Sequence, residues 1–293
     1  MVFTLSNGQL TIQVNSKGAE LSSVKGANGI EYLWQADSRF WGRHAPVLFP
    51  IVGRLKNDQY EYNGQKYSLG QHGFARDMEF KLHEQTDDSI TMALTADSET
   101  KTMFPFDFTL LVKYTLDQQT VRVNLTVINN DQREMFFSVG AHPAFNIPLS
   151  STHAFDDYQI SVDPAKQFDR IPLENSLSAA KDEKLIDFSS PVPIERDLFK
   201  DDAVILALNE QPVKVTFEAK RHEFEHGVTL TTNNAKYVGL WSQYDKDAPF
   251  VCIEPWWGIA DDVNADGQLQ HKKAIDKLAA GEHYNAQYDI TVY

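Results

Sequence analysis

Residues 109–128 have the sequence TLLVKYTLDQQTVRVNLTVI, in which two β-rich runs flank the polar segment Asp117–Gln119. The second run alternates apolar with polar residues, and its apolar members share one face: Val121, Val123, Leu125 and Val127. A period of two predicts a strand that is buried on one face and hydrated on the other. The two runs together predict an antiparallel hairpin.

The same alternation recurs along the chain. β-like runs surround Asn7-Gly8 and Asn63-Gly64, and an Asn-Gly pair between such runs is a strong hairpin signal. Further short β-like runs occupy residues 90–94, 204–208, 213–219, 228–232, 237–242, 250–254 and 287–293. About a dozen short strands with few helical periods predict an all-β chain folded as a large antiparallel β-sandwich.

Two segments depart from this pattern. Residues 274–280, closed by Gly281, are the best helix candidate. Between Pro148 and Asp202 the chain has five prolines and only short apolar stretches, which predicts long loops laid over the sandwich. No uniform Gly/Ser-rich or charge-rich tract separates two halves, so residues 1–293 are expected to form a single domain.

Composition limits the classes of function. The chain has 41 acidic and 27 basic residues, a net charge of −14, which argues against nucleic acid and anionic membrane surfaces as partners. Its apolar runs are too short to cross a bilayer, and the first residues lack the pattern of a secretory signal. One cysteine permits no intrachain disulfide, and these features together favour the cytoplasm. The expected oligomeric state is a monomer or a homodimer.

One formal metal motif is present. His222 to His226 satisfies the pattern H-E-x-x-H, which chelates zinc only on a helix, where positions four apart lie on one face. The flanking sequences are β-like, and in a strand the two histidines would be roughly 13 Å apart. We therefore interpret the motif as a hairpin tip, and we expect no metal and no other cofactor.

Three segments carry the candidate chemistry. His72 lies in QHGFAR and His142 in GAHPAFN, and each alone is more typical of a hydrogen-bonded structural histidine. Glu254 ends an apolar run, VCIEPWWG, where a buried carboxylate needs either a cationic partner or a function. The two tryptophans after it either pack in the core or offer aromatic faces to a sugar ring.

Two arginines are candidate binding residues. Arg54 lies eighteen positions before His72, across a predicted hairpin, so both side chains could point into one cleft; the alternative for Arg54 is a surface salt bridge. Arg76 either reaches the rim of that cleft, where a guanidinium would suit a sugar phosphate, or pairs with Asp77 or Glu79.

The order of these segments resembles the aldose 1-epimerases, also called galactose mutarotases. The similarity is greatest to the LacX-like branch and to its relatives, the hexose-6-phosphate mutarotases, which share a segment like His72 to Arg76. The resemblance implies a large twisted sandwich, the galactose mutarotase-like supersandwich, with a sugar cleft on its concave side. It also implies Glu254 as general base, His142 as general acid, and three binding residues: Arg54, His72 and Asp202, with Asp201 as the alternative to Asp202.

The sequence therefore predicts an isomerase of carbohydrate metabolism that interconverts the α and β anomers of an aldose. A carboxylate with an ordinary pKa near 4.3 and an imidazole near 6.5 suit such acid/base ring opening. A neutral aldose is preferred over a 6-phosphate because of the negative net charge. The alternatives are a non-catalytic sugar-binding sandwich and a glycoside hydrolase, for which Asp202 would be the second carboxylate.

Overall fold

A computed structural model describes residues 1–179, 184–220 and 226–293. The first strands are β1 Val2–Ser6, β2 Leu10–Asn15, β3 Leu21–Gly26, β4 Val47–Leu48, β5 Gln59–Tyr62, β6 Gln65–Ser68, β7 Lys81–Gln85, β8 Ser89–Thr95, β9 Phe108–Asp117, β10 Thr120–Asn129, β11 Met135–Phe137, β12 Gly140–Ala141 and β13 Ala144–Asn146. The remaining ones are β14 Tyr158–Asp163, β15 Gln167–Ile171, β16 Leu173–Glu174, β17 Leu177–Ser178, β18 Lys184–Asp187, β19 Val192–Pro193, β20 Val204–Ala207, β21 Val213–Ala219, β22 Gly227–Thr232, β23 Tyr237–Trp241, β24 Phe250–Trp256, β25 Asp276–Leu278 and β26 His283–Val292.

In the described part of the chain, helical structure is limited to single turns. The described residues include one α-helical turn, α1 at Thr100–Met103, and 3₁₀ turns at Lys56–Asp58, Ala75–Asp77, Phe155–Asp157, Arg196–Phe199, Tyr244–Lys246 and Leu269–His271. Within these ranges, every helix falls well short of the length and apolarity that a bilayer crossing requires.

Two large antiparallel sheets form the predicted β-sandwich. One has nine strands in the order β19-β14-β21-β22-β26-β10-β9-β8-β7. The other follows the order β18-β15-β20-β23-β24-β12-β4, with β13 also paired to β24. Smaller sheets, among them the predicted hairpins β1-β2 and β5-β6, flank the two layers. The all-β prediction is confirmed.

The segment at residues 109–128 forms two interior strands of the nine-stranded sheet. Strands β9 and β10 pair in register, with Val121 opposite Leu116 and Val127 opposite Leu110. Residues alternate between buried and half-buried along both strands, as the period-two pattern predicts. The buried face belongs to the main hydrophobic core, and burial of its apolar area helps to hold the two layers together.

Strand β24 lies in the interior of the second sheet and is buried along its whole length. Alternation directs Val251 and Ile253 into the core between the sheets. Cys252 and Glu254 share the opposite face, where Cys252 packs in a separate apolar cluster with Trp34 and Phe250. The one charged residue of this strand is therefore presented on the face away from the main core.

The helix prediction for residues 274–280 is wrong. The segment contains strand β25, which pairs antiparallel with β11 and places Leu278 opposite Met135. Ala274 has a positive φ of 57°, which a helix does not allow. Gly281 adopts a φ of 76° in the turn that leads into β26, so it serves a turn and not a helix end.

The loop prediction between Pro148 and Asp202 is also wrong in part. The described residues of this segment include six strands, β14 to β19. In β14 the residues alternate between buried and half-buried, but the run is only six residues long. The proline in β19 sits in an edge strand of the large sheet, where a missing N–H costs no ladder bond.

The flanks of the H-E-x-x-H segment are strands, as predicted. β21 and β22 pair antiparallel, with Val213 opposite Thr232 and Glu218 opposite Gly227. His222 itself lies outside the described residues.

Candidate active site

A cleft with a volume of about 400 Å³ opens on the second sheet, a size suited to a small-molecule ligand. Five of the six predicted site residues line it: His72, Arg76, His142, Asp202 and Glu254. They come from separate parts of the chain, and the antiparallel order of β20, β23, β24 and β12 brings them together.

Arg54 lies outside the cleft, contrary to the sequence prediction. Its guanidinium donates two hydrogen bonds of 2.9 Å to the carboxylate of Asp58, and the side chain is 43% exposed. The neighbouring Gly53 lines the cleft in its place. The surface salt bridge, which was the alternative interpretation, is the one that the structure contains.

Glu254 and His142 form a buried pair at the base of the cleft. Oε2 of Glu254 lies 3.1 Å from Nε2 of His142, and the two side chains are 1% and 11% exposed. The contact lacks the alignment of a hydrogen bond, so Oε2 has no hydrogen-bond partner among the described residues. The same is true of His142 Nδ1 and Trp256 Nε1. Buried polar atoms without partners are costly, and a polar ligand would satisfy them.

Burial moves both pKa values of this pair toward the neutral forms. It raises the pKa of the Glu254 carboxyl well above its usual value, and the nearby charge of Asp202 adds to the effect. It lowers the pKa of the His142 imidazole to about 3, helped by the positive charges of Arg76 and Arg43. Burial therefore favours the state in which the pair holds one proton between its two members, which is the state that can act as one acid and one base.

His72 is fixed in one tautomer. Its ring Nδ1 accepts a hydrogen bond of 3.1 Å from the backbone N–H of Gly53, and the backbone N–H of His72 donates to the Gly53 carbonyl at 2.8 Å. An Nδ1 that accepts leaves the proton on Nε2 of the neutral ring. Burial lowers the pKa of His72 well below its usual value, with His142 adding to the effect. His72 therefore offers the cleft a neutral N–H donor.

A buried ion pair supports the wall beside His72. Lys272 Nζ lies 2.9 Å from Asp261 and donates to the Ile259 carbonyl at 2.7 Å. This ion pair anchors the segment that contains Ala260, which packs on Gly53. A Cβ added to Gly53 would lie 2.4 Å from the backbone nitrogen of Ala260. Gly53 also has a φ of 76°, so the close approach and the backbone both require glycine.

Asp202 and Arg76 lie on different walls of the cleft. Asp202 precedes β20 with a φ of 73°, whereas Asp201 lines a neighbouring depression. Arg76 donates to the Gln71 carbonyl at 2.6 Å, and its Nε is 3.8 Å from Asp77, too far for a hydrogen bond. Burial and the charge of Arg43 lower the pKa of Arg76 to about 10. Its Nε has no hydrogen-bond partner among the described residues.

Aromatic rings complete the cleft, and sequence reasoning found only one of them. Trp41 stacks on His142 with ring centroids 4.8 Å apart, and Trp241 meets the same imidazole edge-on at 5.7 Å. Trp256 lines the cleft, whereas Trp257 is buried in the core and donates to Asn234. The available signal for Trp41 was a large apolar residue in an otherwise polar loop, which is typical of a binding platform.

The chain is similar to known proteins along its whole length. The profile of the family described as aldose 1-epimerase matches residues 1–291. Protein LacX (plasmid) from Lactococcus lactis subsp. lactis is 30% identical over 301 residues, covering 100% of this chain and 99% of that protein.

Two solved structures are similar over the whole chain. One, described as a galactose mutarotase related enzyme from Lactobacillus acidophilus, has 41% identity and a TM-score of 0.97, covering 100% of this chain and 97% of that one. The other, a galactose mutarotase-like protein from Lactobacillus casei ATCC 334, has 32% identity and a TM-score of 0.90, with both chains fully covered. The chain belongs to the aldose 1-epimerase family.

Proposed function

We propose that this protein interconverts the α and β anomers of an aldose by acid/base ring opening and reclosure. The observation that carries the proposal is the buried Glu254–His142 pair, 3.1 Å apart at the base of a cleft of sugar size. Membership of the aldose 1-epimerase family supports the same class of reaction.

The proposed reaction needs one base and one acid. Glu254 takes the proton of the anomeric hydroxyl, the bond between C1 and the ring oxygen breaks, and His142 protonates that oxygen. Rotation about the C1–C2 bond then presents the other face of the aldehyde, and the same transfers in reverse close the ring. Reclosure after this rotation gives the opposite anomer, whereas reclosure without it regenerates the starting one.

The single proton of the pair must lie on His142 when Glu254 acts as base. Burial alone favours the neutral forms, with the proton on Glu254. Hydroxyl groups of a bound sugar would donate hydrogen bonds to the carboxylate, and such bonds stabilise its charged form. Substrate binding therefore shifts the proton toward His142, across the short contact between the two side chains.

The remaining polar groups of the cleft are suited to binding. The N–H of His72 and the indole N–H of Trp256 are donors for sugar oxygens, and the Asp202 carboxylate is an acceptor for hydroxyls. Trp41 and Trp241 offer aromatic faces to the apolar side of a pyranose.

Polarimetry tests the proposal directly. We expect the purified protein to accelerate the change in optical rotation of freshly dissolved α-glucose or α-galactose above the spontaneous rate. No acceleration together with measurable sugar binding would favour a non-catalytic sugar-binding protein. Release of reducing ends from a glycoside would favour hydrolysis instead.

A 6-phosphorylated aldose is the second candidate substrate. The unpartnered Nε of Arg76 and the nearby charge of Arg43 favour it, since a phosphate would gain charge-assisted hydrogen bonds there. Against it stands the net charge of −14, which repels an anion at long range. Arg43 is also already paired with Asp77 at 3.0 Å. We therefore prefer a neutral aldose.

Substitution of Arg76 decides between the two substrates. Arg76→Ala should change the rate on glucose and on glucose 6-phosphate by similar small factors at low ionic strength. Arg122→Ala, on the nine-stranded sheet, removes the same charge away from the cleft and is the matched control. A loss confined to glucose 6-phosphate, absent from the control, would overturn the preference for a neutral sugar.

A further inference from the structure

The only cysteine of the chain lies beside the proposed acid/base pair. Cys252 and Glu254 are two residues apart on β24 and so share one face of the strand. His142 lies in the connection between β12 and β13, and because both of these strands pair with β24, its side chain reaches the same place. The thiol sulfur, an imidazole nitrogen and a carboxylate oxygen lie within 4.8 Å of one another, and all three residues are buried.

We propose that Cys252, His142 and Glu254 form a binding site for a thiophilic divalent cation such as Zn²⁺ or Cd²⁺, and that the bound cation blocks the cleft. Thiolate, imidazole and carboxylate are the side chains that bind zinc, and three protein ligands with one open position are common in zinc sites. The sulfur ligand selects against Mg²⁺ and Ca²⁺, which prefer oxygen.

The spacing of the three groups fits one ion after small side-chain movements. Zinc bonds of about 2.0–2.3 Å in tetrahedral geometry place ligand atoms roughly 3.3–3.7 Å apart. The Glu254–His142 contact is 3.1 Å, and no separation in the cluster exceeds 4.8 Å. The Glu254–His142 pair is therefore slightly closer than in the bound geometry, and the other separations exceed it by at most about 1 Å, a difference on the scale of side-chain rotation.

Two further observations point to a ligand at this position. Oε2 of Glu254 is buried and has no hydrogen-bond partner among the described residues, so it is available for coordination. A thiolate and a carboxylate together also balance the charge of a divalent ion, so its burial would leave no net charge. A cation entering the cleft meets His142 first, because its side chain is 11% exposed.

The thiol has no part in the proposed proton transfers. Burial raises the pKa of Cys252 well above its usual value, so the free thiol stays protonated and unreactive. Coordination to a cation would deprotonate it. Cation binding does not depend on the proposed mutarotase activity, whereas inhibition does.

Cadmium titration of the full chain, freed of metal with a chelator and then desalted, tests binding. Because the chain has one cysteine, a cadmium–thiolate charge-transfer band in the ultraviolet can come only from Cys252. We expect the band to saturate at one equivalent in folded protein, and mutarotase activity to fall over the same concentration range. A saturating aldose should shift both titrations to higher cadmium, and Mg²⁺ should produce neither effect.

Two variants separate coordination from an indirect effect. Cys252→Ala should keep its basal activity, lose the band, and need at least about 10-fold more cadmium for inhibition, since even outer-shell changes weaken metal affinity by about 10- to 100-fold. His142→Asn keeps the thiol but should shift the band to higher cadmium, which provides a test if Cys252→Ala does not fold.

Two results would overturn the proposal. One is the absence of a thiolate band in folded wild-type protein at millimolar cadmium. The other is inhibition of Cys252→Ala at the same cadmium concentration as the wild type. If the protein has no mutarotase activity, the band titration of the wild type and of His142→Asn still decides whether the site exists.

Discussion

Replacement of Glu254 by Gln tests the proposed base with little change of shape. Gln fills the same volume against His142 but cannot accept the anomeric proton. We expect the rate to fall by about 10²- to 10⁴-fold, the usual contribution of a general base. At about 1.36 kcal/mol per factor of ten, this is a barrier increase of about 2.7–5.4 kcal/mol.

The same variant should be more stable than the wild type at high pH. Because the folded pKa of Glu254 is raised, the folded protein keeps a proton that the unfolded chain loses above its pKa of about 4.3. The folded state therefore binds more protons, and its stability falls as the pH rises. Gln removes this dependence, so its advantage over the wild type should grow from pH 4 to pH 8. Each unit by which folding raises the pKa of Glu254 changes the free energy of unfolding by about 1.4 kcal/mol over this pH range.

The assays are polarimetry with the spontaneous rate subtracted, and urea denaturation at both pH values. Glu134→Gln makes the same substitution at an exposed position and should change neither quantity. Near-wild-type turnover by folded Glu254→Gln would refute the base assignment. A stability difference that shrinks between pH 4 and pH 8 would refute the raised pKa.

Three other predictions follow from the same geometry. The rate should have a broad plateau around neutral pH, because the pair gains a second proton, on His142, only near the pKa of about 3 and loses its remaining proton, from Glu254, only above the raised pKa of that carboxyl. A rate that starts to fall as soon as the pH is lowered below 6 would contradict this. Gly53→Ala should destabilise the fold by about 1–3 kcal/mol more than Gly64→Ala in urea denaturation, since both have a φ of 76° but only Gly53 meets Ala260; equal losses would refute the packing argument. Prolonged EDTA treatment should not lower activity. A loss of activity that added zinc restores would show instead that the protein requires a metal.

The shifted pKa values of Glu254 and His142 exchange the two limbs of the expected pH profile. A free carboxylate and imidazole would place the acidic limb of a pH profile on Glu254 and the basic limb on His142. Burial raises one pKa and lowers the other, so the acidic limb belongs to His142 and the basic limb to Glu254. Burial of these side chains depends on the sheet and loops around them, which residue types alone do not specify.

Placement of the candidate site was predictable in part. His72, His142 and Glu254 stood out because glycine, proline or an apolar run beside each restricts the local backbone. Arg54 did not follow the prediction, because nearness to a hairpin does not determine where a long side chain points. Trp41 reaches the cleft from a loop far away in sequence, so only the folded chain places it against His142.

The sequence by itself determined the all-β class and the central hairpins, because the alternation that buries one face of a strand is a local property of residues two apart. The order of strands in each sheet, the short strands β14–β19 and the pairing of β25 with β11 were decided only by the tertiary structure. Those pairings join segments distant in sequence, and their stability comes from hydrogen bonds and burial that form only when the partners meet. The same holds for the contact of 3.1 Å between Glu254 and His142, which lie 112 positions apart (254 − 142).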